Sequence, residues 1–396
     1  MKTLSYTLCA VLAAGFAFTG DAQVKPKSKK VTELKFSGRL QGQFDAIETD
    51  DKTSDPKEDR NHFYFRRLFL GGHAKMGDNW GADLVLDFAA SPNSETSSYD
   101  INGTSFKTSA DQVFIEGASI WYKFSDSLRV DIGQLKVPFG MEETTSSSKT
   151  KAIERSVVNR QFAEQLKFNA RHTGLFAKGS FDNGLSYKAA VVNSGQNHNS
   201  KDSKLKGGEY GYDSNELSYY GQIAYANYDS DLIYNLGAAV GQMALDESND
   251  LTAYNLFAPL GFGKFVLDAE YMSGDAERGA GNADHQHEGY SIQGSYALSN
   301  APHGTWELVY RYSTVENDEG LVSAKEIIRR ANIKESEVDK VDQHYVGLNY
   351  LFNGRDAQIM LGYEMNDLFD KSVTTEWGGS KEGSSDGFRA RLQFLF

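Results

Sequence analysis

The chain has 396 residues, including 24 Phe, 21 Tyr and 38 Gly but only 6 Pro and 1 Cys, and a formal charge of −13. So many aromatics and glycines with so few prolines suit many strands joined by tight turns. An acidic chain is a poor candidate for nucleic-acid binding, and with Cys9 inside the leader described next, disulfides, thiolate metal sites and cysteine nucleophiles are excluded from the mature protein.

Residues 1–22 read as a secretory signal peptide. Lys2 supplies the positive start, Leu4 to Phe18 is apolar but too short to span a bilayer securely, and Gly20-Asp21-Ala22 offers a cleavage site. Cys9 lacks the context of a lipoprotein cleavage site, so no lipid anchor is expected. Removing this leader takes away Lys2 and Asp21, one charge of each sign, so the net charge stays −13. No later run approaches 18 apolar residues, so no transmembrane helix is expected. Residues 23–32, with Lys25, Lys27, Lys29 and Lys30, read as a solvated periplasmic tail.

Alternation of period two begins at Leu34 and continues to the end. In Leu34 to Ala46, Leu34, Phe36, Leu40 and Phe44 oppose Lys35, Arg39, Gln41, Gln43 and Asp45. The same pattern recurs in Phe63–Met76, Trp80–Ala90, Phe114–Phe124 and Leu128–Lys136. It resumes in hairpins that turn at Asp182-Asn183-Gly184, Asp229-Ser230-Asp231, Gly261-Phe262-Gly263, Pro302-His303-Gly304 and Asn353-Gly354. The last strand, Gly387–Phe396, alternates Phe388, Ala390, Leu392, Phe394 and Phe396 with Arg389, Arg391 and Gln393. Sixteen strands result. Short turns follow the even strands and mostly long segments follow the odd ones. An even strand number with loops sorted by length to the two ends describes an outer-membrane β-barrel, an all-β antiparallel fold over residues 33–396. A terminal aromatic, Phe396, resembles the signal read by bacterial barrel-assembly machinery.

The longest departure from alternation follows strand five. Val137-Pro138-Phe139-Gly140 breaks the pattern, because Pro has no N–H for the ladder. Residues 140–171 are then a long polar connection. An infolded constriction loop is one reading and an ordinary surface loop the other. Arg155 and Arg160 lie in this loop, and Lys136 ends the strand that enters it.

A charge facing lipid at mid-bilayer costs ~2–4 kcal/mol, so the apolar face of each strand is assigned to lipid and the polar face to the lumen. On that register the lumen carries Lys35, Arg39, Arg67, Lys75, Arg129, Lys178, Lys188, Lys264, Arg311, Arg389 and Arg391. Against them stand Asp45, Asp83, Asp87, Asp131, Asp268, Glu270, Glu307 and Glu364, eleven against eight, or +3. Arg66 falls on the lipid-facing set. Much of the negative charge lies instead in the external loops, as at Asp55, Glu58 and Asp59. A permeating ion feels charges within about 8–10 Å, so the lumen matters more than the overall −13. Sixteen strands leave a water-filled channel unless something plugs it, and rings of Lys and Arg favour anions. The other use of such side chains is to keep the lumen wet and pair with each other.

Several blocks together resemble the phosphate-selective porin O and P family. They are Phe65-Arg66-Arg67, Gly133-Gln134-Leu135-Lys136-Val137-Pro138-Phe139-Gly140 with Glu142 and Glu143, and Ile153-Glu154-Arg155-Ser156. Further on come Trp306-Glu307-Leu308-Val309-Tyr310-Arg311-Tyr312-Ser313, Val346 to Tyr350, and Arg391 to Phe394. The resemblance implies a sixteen-stranded outer-membrane porin, usually trimeric. It implies paired constriction arginines at Arg66 and Arg67, a third at Arg39 and an acidic neighbour at Asp87. Phe69 stands where an arginine or tyrosine is common in phosphate-specific members, and no dense arginine ladder is evident.

No catalytic set emerges, and no cofactor is expected. His285-Gln286-His287 sits in what reads as an external loop and is set aside as a metal site. Leu321 to Val341 could form an amphipathic helix through Ile327, Ile328, Ala331 and Val338, and is read as loop packing. The expected function is a passive channel for small hydrophilic solutes with a mild preference for anions such as phosphate. The alternatives are a plugged surface barrel acting as adhesin or receptor and, more remotely, an outer-membrane enzyme.

Overall fold

In the computed structural model the described residues are 31–51, 60–89, 96–101, 104–109, 113–194, 217–244, 250–277, 285–301, 304–331, 333, 337–370 and 380–396. The expected leader and nearly all of the tail lie outside them, as do most of the acidic segment before β2 and the connections at 195–216, 245–249, 278–284 and 371–379.

Sixteen antiparallel strands close into one barrel, each hydrogen-bonded to its sequence neighbours in the ring. They are β1 Glu33–Asp51, β2 Arg60–Met76, β3 Trp80–Asp87, β4 Phe114–Ser125, β5 Leu128–Lys136, β6 Arg171–Ser180, β7 Leu185–Asn193 and β8 Leu217–Asn227. The second half comprises β9 Leu232–Ala244, β10 Asp250–Phe262, β11 Phe265–Glu277, β12 His285–Ala301, β13 Gly304–Asn317, β14 Lys340–Asn353, β15 Ala357–Asp370 and β16 Ser380–Leu395. Closure leaves no unpaired edge, the condition for a sheet to sit in hydrocarbon. The seam joins β1 to β16, with Leu40 opposite Phe394 and Gln43 opposite Arg391. Beyond it the Phe396 carbonyl accepts from the Gly38 N–H at 2.6 Å, and the Phe396 N–H donates back to Gly38 at 3.1 Å.

The outer face is apolar: Leu70, Leu84, Ile120, Ile132, Ile223, Val240, Leu256 and Leu392 are all exposed there. At the short-turn end Trp80, Tyr122 and Phe124 pack edge to face, as do Tyr350 and Phe352, with Trp306 tilted against Tyr350. At the long-loop end Phe44 packs tilted against Phe63, and Tyr290 against Tyr312. Two such aromatic belts mark the levels where hydrocarbon gives way to headgroups.

Two bulges alter the inward set. In β2, Arg67 pairs with Gln41 and Phe65 with Gly42, so Arg66 is the extra residue. A bulge breaks the alternation, so Arg66 and Arg67 both point into the lumen. This corrects the expectation that Arg66 faces lipid. In β4, Ile115 pairs with Leu86 and Gly117 with Val85, which leaves Glu116 on the lumen side. The strands also run further towards the long loops than alternation alone indicated. β12 begins at His285, so the two histidines lie on a strand rather than in a loop.

The core is inside the barrel, where two connections pack on each other and on the wall. Residues 137–170 and the described part of 318–339 share one apolar cluster that includes Val137, Phe139, Val157, Val158, Phe162 and Phe168 from the first, Val322, Ile327, Ile328, Ile333 and Val338 from the second, and Phe176, Tyr220 and Met272 from the strands. Their regular structure is slight: single turns at Met141–Thr144 (α1), Val157–Arg160 (α2) and Ala324–Ile327 (α3), with a π-type turn at Gln161–Gln165. The amphipathic helix contemplated for 321–341 is thus one turn, flanked by the two-residue strands Val322–Ser323 and Glu337–Val338, which pair with each other.

Candidate functional site

The lumen wall of β1 and β16 is polar and anchors the first inward connection. Gln41 donates to Gln393 Oε1 at 2.5 Å and to the Ser147 carbonyl at 3.3 Å, while Gln393 donates to the Ser148 carbonyl at 3.0 Å. Across the barrel, Lys151 pairs with Asp268 at 2.8 Å, and Asn349 donates to the Lys151 carbonyl at 2.9 Å. Glu270 accepts from the N–H groups of Met141 and Glu142. Residues 137–170 therefore cross the lumen and are tied to opposite walls.

At the centre of this network is Glu154, which is buried. It accepts from Arg66 Nε at 3.0 Å, Arg391 at 2.9 Å and Gln43 at 3.1 Å. Arg160 and Arg329 lie 3.9 Å away. Burial opposes its charged form, but the guanidiniums of Arg66, Arg391 and Arg329 outweigh burial and hold the carboxyl well below the usual range. Glu143 behaves alike: burial raises its pKa, and Arg155 with Lys136 lowers it further than burial raises it.

Most basic residues singled out from the sequence are engaged by this framework. Lys136 pairs with Glu143 at 2.6 Å, and Arg155 donates to the carbonyls of Glu142, Glu143 and Thr145. Arg160 is buried and donates to the carbonyls of Glu326 and Ile327, so it fastens the second connection to the first. Arg311, Arg389 and Arg391 lie on the inward face as expected, yet each side chain is only 1% exposed. Arg311 holds Glu142 and the Glu154 carbonyl, and Arg389 holds Glu364 and Asp45. Arg129 stacks on Trp121 with its guanidinium 4.1 Å from the ring centre, and it pairs with Asp131. Asp87 accepts backbone N–H bonds from Leu68 and Ala89.

Arg39 and Arg67 differ. Arg39 is held by the hydroxyls of Ser146, Ser147 and Ser148 and lies over the Phe69 ring at 5.2 Å. Arg67 donates to Gln41 Oε1 at 2.9 Å. Neither has a carboxylate partner among the described residues. Both line a cavity of about 630 Å³ between the first connection and the wall from β1 to β7. Its charged lining comprises nine basic side chains, among them Lys136, Arg155, Lys178 and Lys188, against five acidic ones, Asp83, Asp87, Glu116, Glu143 and Glu164. A smaller cavity of about 240 Å³ lies on the far side of the connection, where Lys149, Lys151 and Arg311 balance Glu142, Asp268 and Glu270.

This polar, water-accessible lumen inside a closed apolar-faced barrel coincides with a family match. The model for the family described as phosphate-selective porin O and P matches residues 34–396. The chain belongs to this family. It is an outer-membrane porin, a channel of the bacterial outer membrane. It is 24% identical to Porin O of Pseudomonas aeruginosa, an alignment that covers 100% of this chain and 98% of that one. A second match, 29% identical to an uncharacterized protein of Aquifex aeolicus, covers 34% of this chain and 33% of that protein. Among solved structures, an anion-selective porin from Comamonas acidovorans superposes with a TM-score of 0.59 at 15% identity, over 92% of this chain and 99% of that one. The outer membrane channel DcaP of Acinetobacter baumannii gives 0.58 at 14% identity, over 94% and 100%. OmpT of Vibrio cholerae in its trimer form gives 0.54 at 12% identity, over 91% and 99%.

Sequence reading picked out basic side chains that hold the porin's inward connections but not their partners. Gln41, Gln43 and Gln393 carry no signature of that role. Glu142 and Glu154 stood out only as members of family-resembling blocks, Gly133 to Gly140 with Glu142 and Glu143, and Ile153 to Ser156. His285 and His287 are buried on the inward face of β12. His285 lies 3.0 Å from Glu319, and His287 Nδ1 is 3.0 Å from Gln161. No group of three or more His, Cys, Asp or Glu able to hold a metal occurs among the described residues.

Proposed function

We propose that small hydrophilic solutes cross this porin through the cavity between residues 140–171 and the wall of β1 to β7, and that this route favours anions such as phosphate. The observation that carries the reading is the excess of nine basic over five acidic side chains around that space. Arg39, Arg67 and Lys188 are its cations free of carboxylate partners among the described residues. Rings of such charge attract anions over the short distances that salt leaves unscreened. Residues 140–171 are the constriction, and Arg66, Lys136, Arg155, Arg160, Arg311 and Arg391 hold it in place, while Arg389 fixes the second connection through the Arg329 carbonyl. Arg129 serves the wall. The protein is read as a passive channel rather than an enzyme. Signal-peptide cleavage after Ala22, export, insertion through barrel-assembly machinery that reads Phe396, and assembly as a homotrimer in outer-membrane lipid complete the proposal. The trimeric form of the V. cholerae neighbour is consistent with the last step.

The test is conductance and reversal potential in a planar bilayer across a KCl gradient, with phosphate added afterwards. Ohmic steps with a chloride-selective reversal potential are expected, together with partial block by phosphate. Potassium selectivity would overturn the anion preference. No steps from folded protein would point to the plugged surface barrel.

A further inference from the structure

Among its described residues, the second inward connection, within 318–339, reaches the larger cavity with a single charged side chain, Arg329. Val322, Ile327, Ile328 and Val338 seat it on Val157, Val158 and Phe162 of the first connection. Gln165 clamps it by donating to the Leu321 carbonyl at 2.6 Å and accepting from the Ser323 N–H at 2.8 Å. At its tip two arginines follow each other and take opposite courses. Arg330 has left-handed backbone, with φ of 61°. Its guanidinium lies 3.6 Å from the Tyr64 ring centre and 2.6 Å from His62 Nε2, on the β2 wall. Arg329 turns the other way and lines the cavity beside Arg66, Arg67 and Glu164. Its backbone is fixed because Arg389 donates to its carbonyl at 2.9 Å.

Arg329 is only loosely neutralised. Glu154 and Glu164 each stand 3.9 Å away, at the limit of an ion pair. Glu154 is already bonded to Arg66 and Arg391, and the Arg329 side chain keeps 27% of its surface exposed. Anchoring one arginine to the wall aims the other into the passage.

We propose that Arg329 is a selectivity-determining residue of this channel, a cation delivered to the loop-side entrance of the larger cavity by a connection separate from residues 140–171. This deepens the anion-channel reading and rests on it only for the passage that Arg329 faces. A unit charge about 8 Å from an ion in water changes the local ion concentration roughly two- to threefold. Chloride and potassium respond in opposite senses, so the ratio would change by the square of that factor unscreened; with salt screening over about 8–10 Å, removing Arg329 should shift the chloride-to-potassium permeability ratio about two- to threefold.

The test uses the full chain in planar bilayers. The background carries Cys9→Ser, since Cys9 is the sole cysteine. In Arg329→Cys the ratio is expected to fall two- to threefold. A positively charged methanethiosulfonate reagent should restore it and a negatively charged one should lower it further, with labelling verified by mass. Arg329→Lys should keep the native ratio, and Arg329→Gln should behave like the unlabelled cysteine. A thiol that labels without moving the reversal potential, or one that does not label in the open channel, would overturn the proposal. So would Arg329→Lys behaving like Arg329→Gln, which is the outcome for a purely structural arginine. Because the readout is a shift between variants, it is independent of the wild-type sign. A potassium-selective wild type would sink the anion preference while leaving the Arg329 shift to stand or fall alone.

Discussion

Glu154 accepts two hydrogen bonds from Arg66, at 3.0 and 3.3 Å, although one residue lies in a loop and the other at a bulge in β2. The pair joins the inward connection to the barrel wall, and Arg391 joins it from the seam strand at 2.9 Å. Replacing Glu154 with Gln would leave these guanidiniums buried without a counter-charge. Breaking one partner of a buried ion pair typically costs about 3–5 kcal/mol. We expect Glu154→Gln to lower the urea midpoint of the lipid-folded barrel accordingly. Single-channel current should also become noisier, as a less firmly held loop samples more than one position.

The same carboxylate sets a pH window. In the unfolded chain a Glu titrates near ~4.3, whereas here it is held well below that against the effect of burial. Its stabilisation is therefore full above the unfolded value and is lost as pH falls through the native one. The stability gap between wild type and Glu154→Gln should be constant from neutral pH to about pH 5, and should shrink steadily below about pH 4. Urea titrations at stepped pH check this, and a gap that widens on acidification would refute it.

The barrel was legible in the sequence because lipid enforces period-two alternation on every strand, and because loop lengths sort to the two ends. Arg66 shows where that legibility stops. Alternation counted through β2 puts it on the lipid face, and only a bulge against Gln41 and Gly42 turns it inward. A bulge is a pairing feature with no local composition to announce it. Residues 140–171 showed as a break in alternation open to an infolded reading, but their meeting with the second inward connection did not declare itself, for a related reason. Val157, Val158 and Phe162 on one segment find Ile327 and Ile328 on another more than 160 residues away, and no local period encodes that meeting. Likewise, Arg311, Arg389 and Arg391 look like free lumen charge until Glu142, Asp45, Glu364 and Glu154 are seen against them.

The seam gives a prediction about assembly. A Cβ on Gly38 would lie 2.1 Å from Phe396 Cζ, so the terminal ring fits only because residue 38 has no side chain. Gly38→Ala should displace the ring and lower the yield of heat-modifiable folded barrel. In a Phe396→Ala background the same substitution should cost much less, because the clash is gone. Equal losses in both backgrounds would show that the contact does not matter to closure.

Two arginines on the strands flanking β1 allow stability and selectivity to be separated. Arg391 is buried against Glu154 and Gln43, whereas Arg67 lines the larger cavity and bonds only to the neutral Gln41 among the described residues. Removing Arg391 leaves Glu154 short of a partner, so Arg391→Ala should cost stability on the scale of a broken buried pair, about 3–5 kcal/mol. The chloride-to-potassium ratio should change less than in Arg67→Ala, because Arg391 is buried and does not line the larger cavity. Removing Arg67 withdraws an unneutralised charge from the cavity wall. Arg67→Ala should therefore move the reversal potential towards potassium and weaken any phosphate block, with the urea midpoint shifted by less than in Arg391→Ala. Measuring both quantities on both variants decides the matter. If Arg391→Ala moves selectivity as much as Arg67→Ala does, the division between framework and solute-facing cations drawn from their partners is wrong.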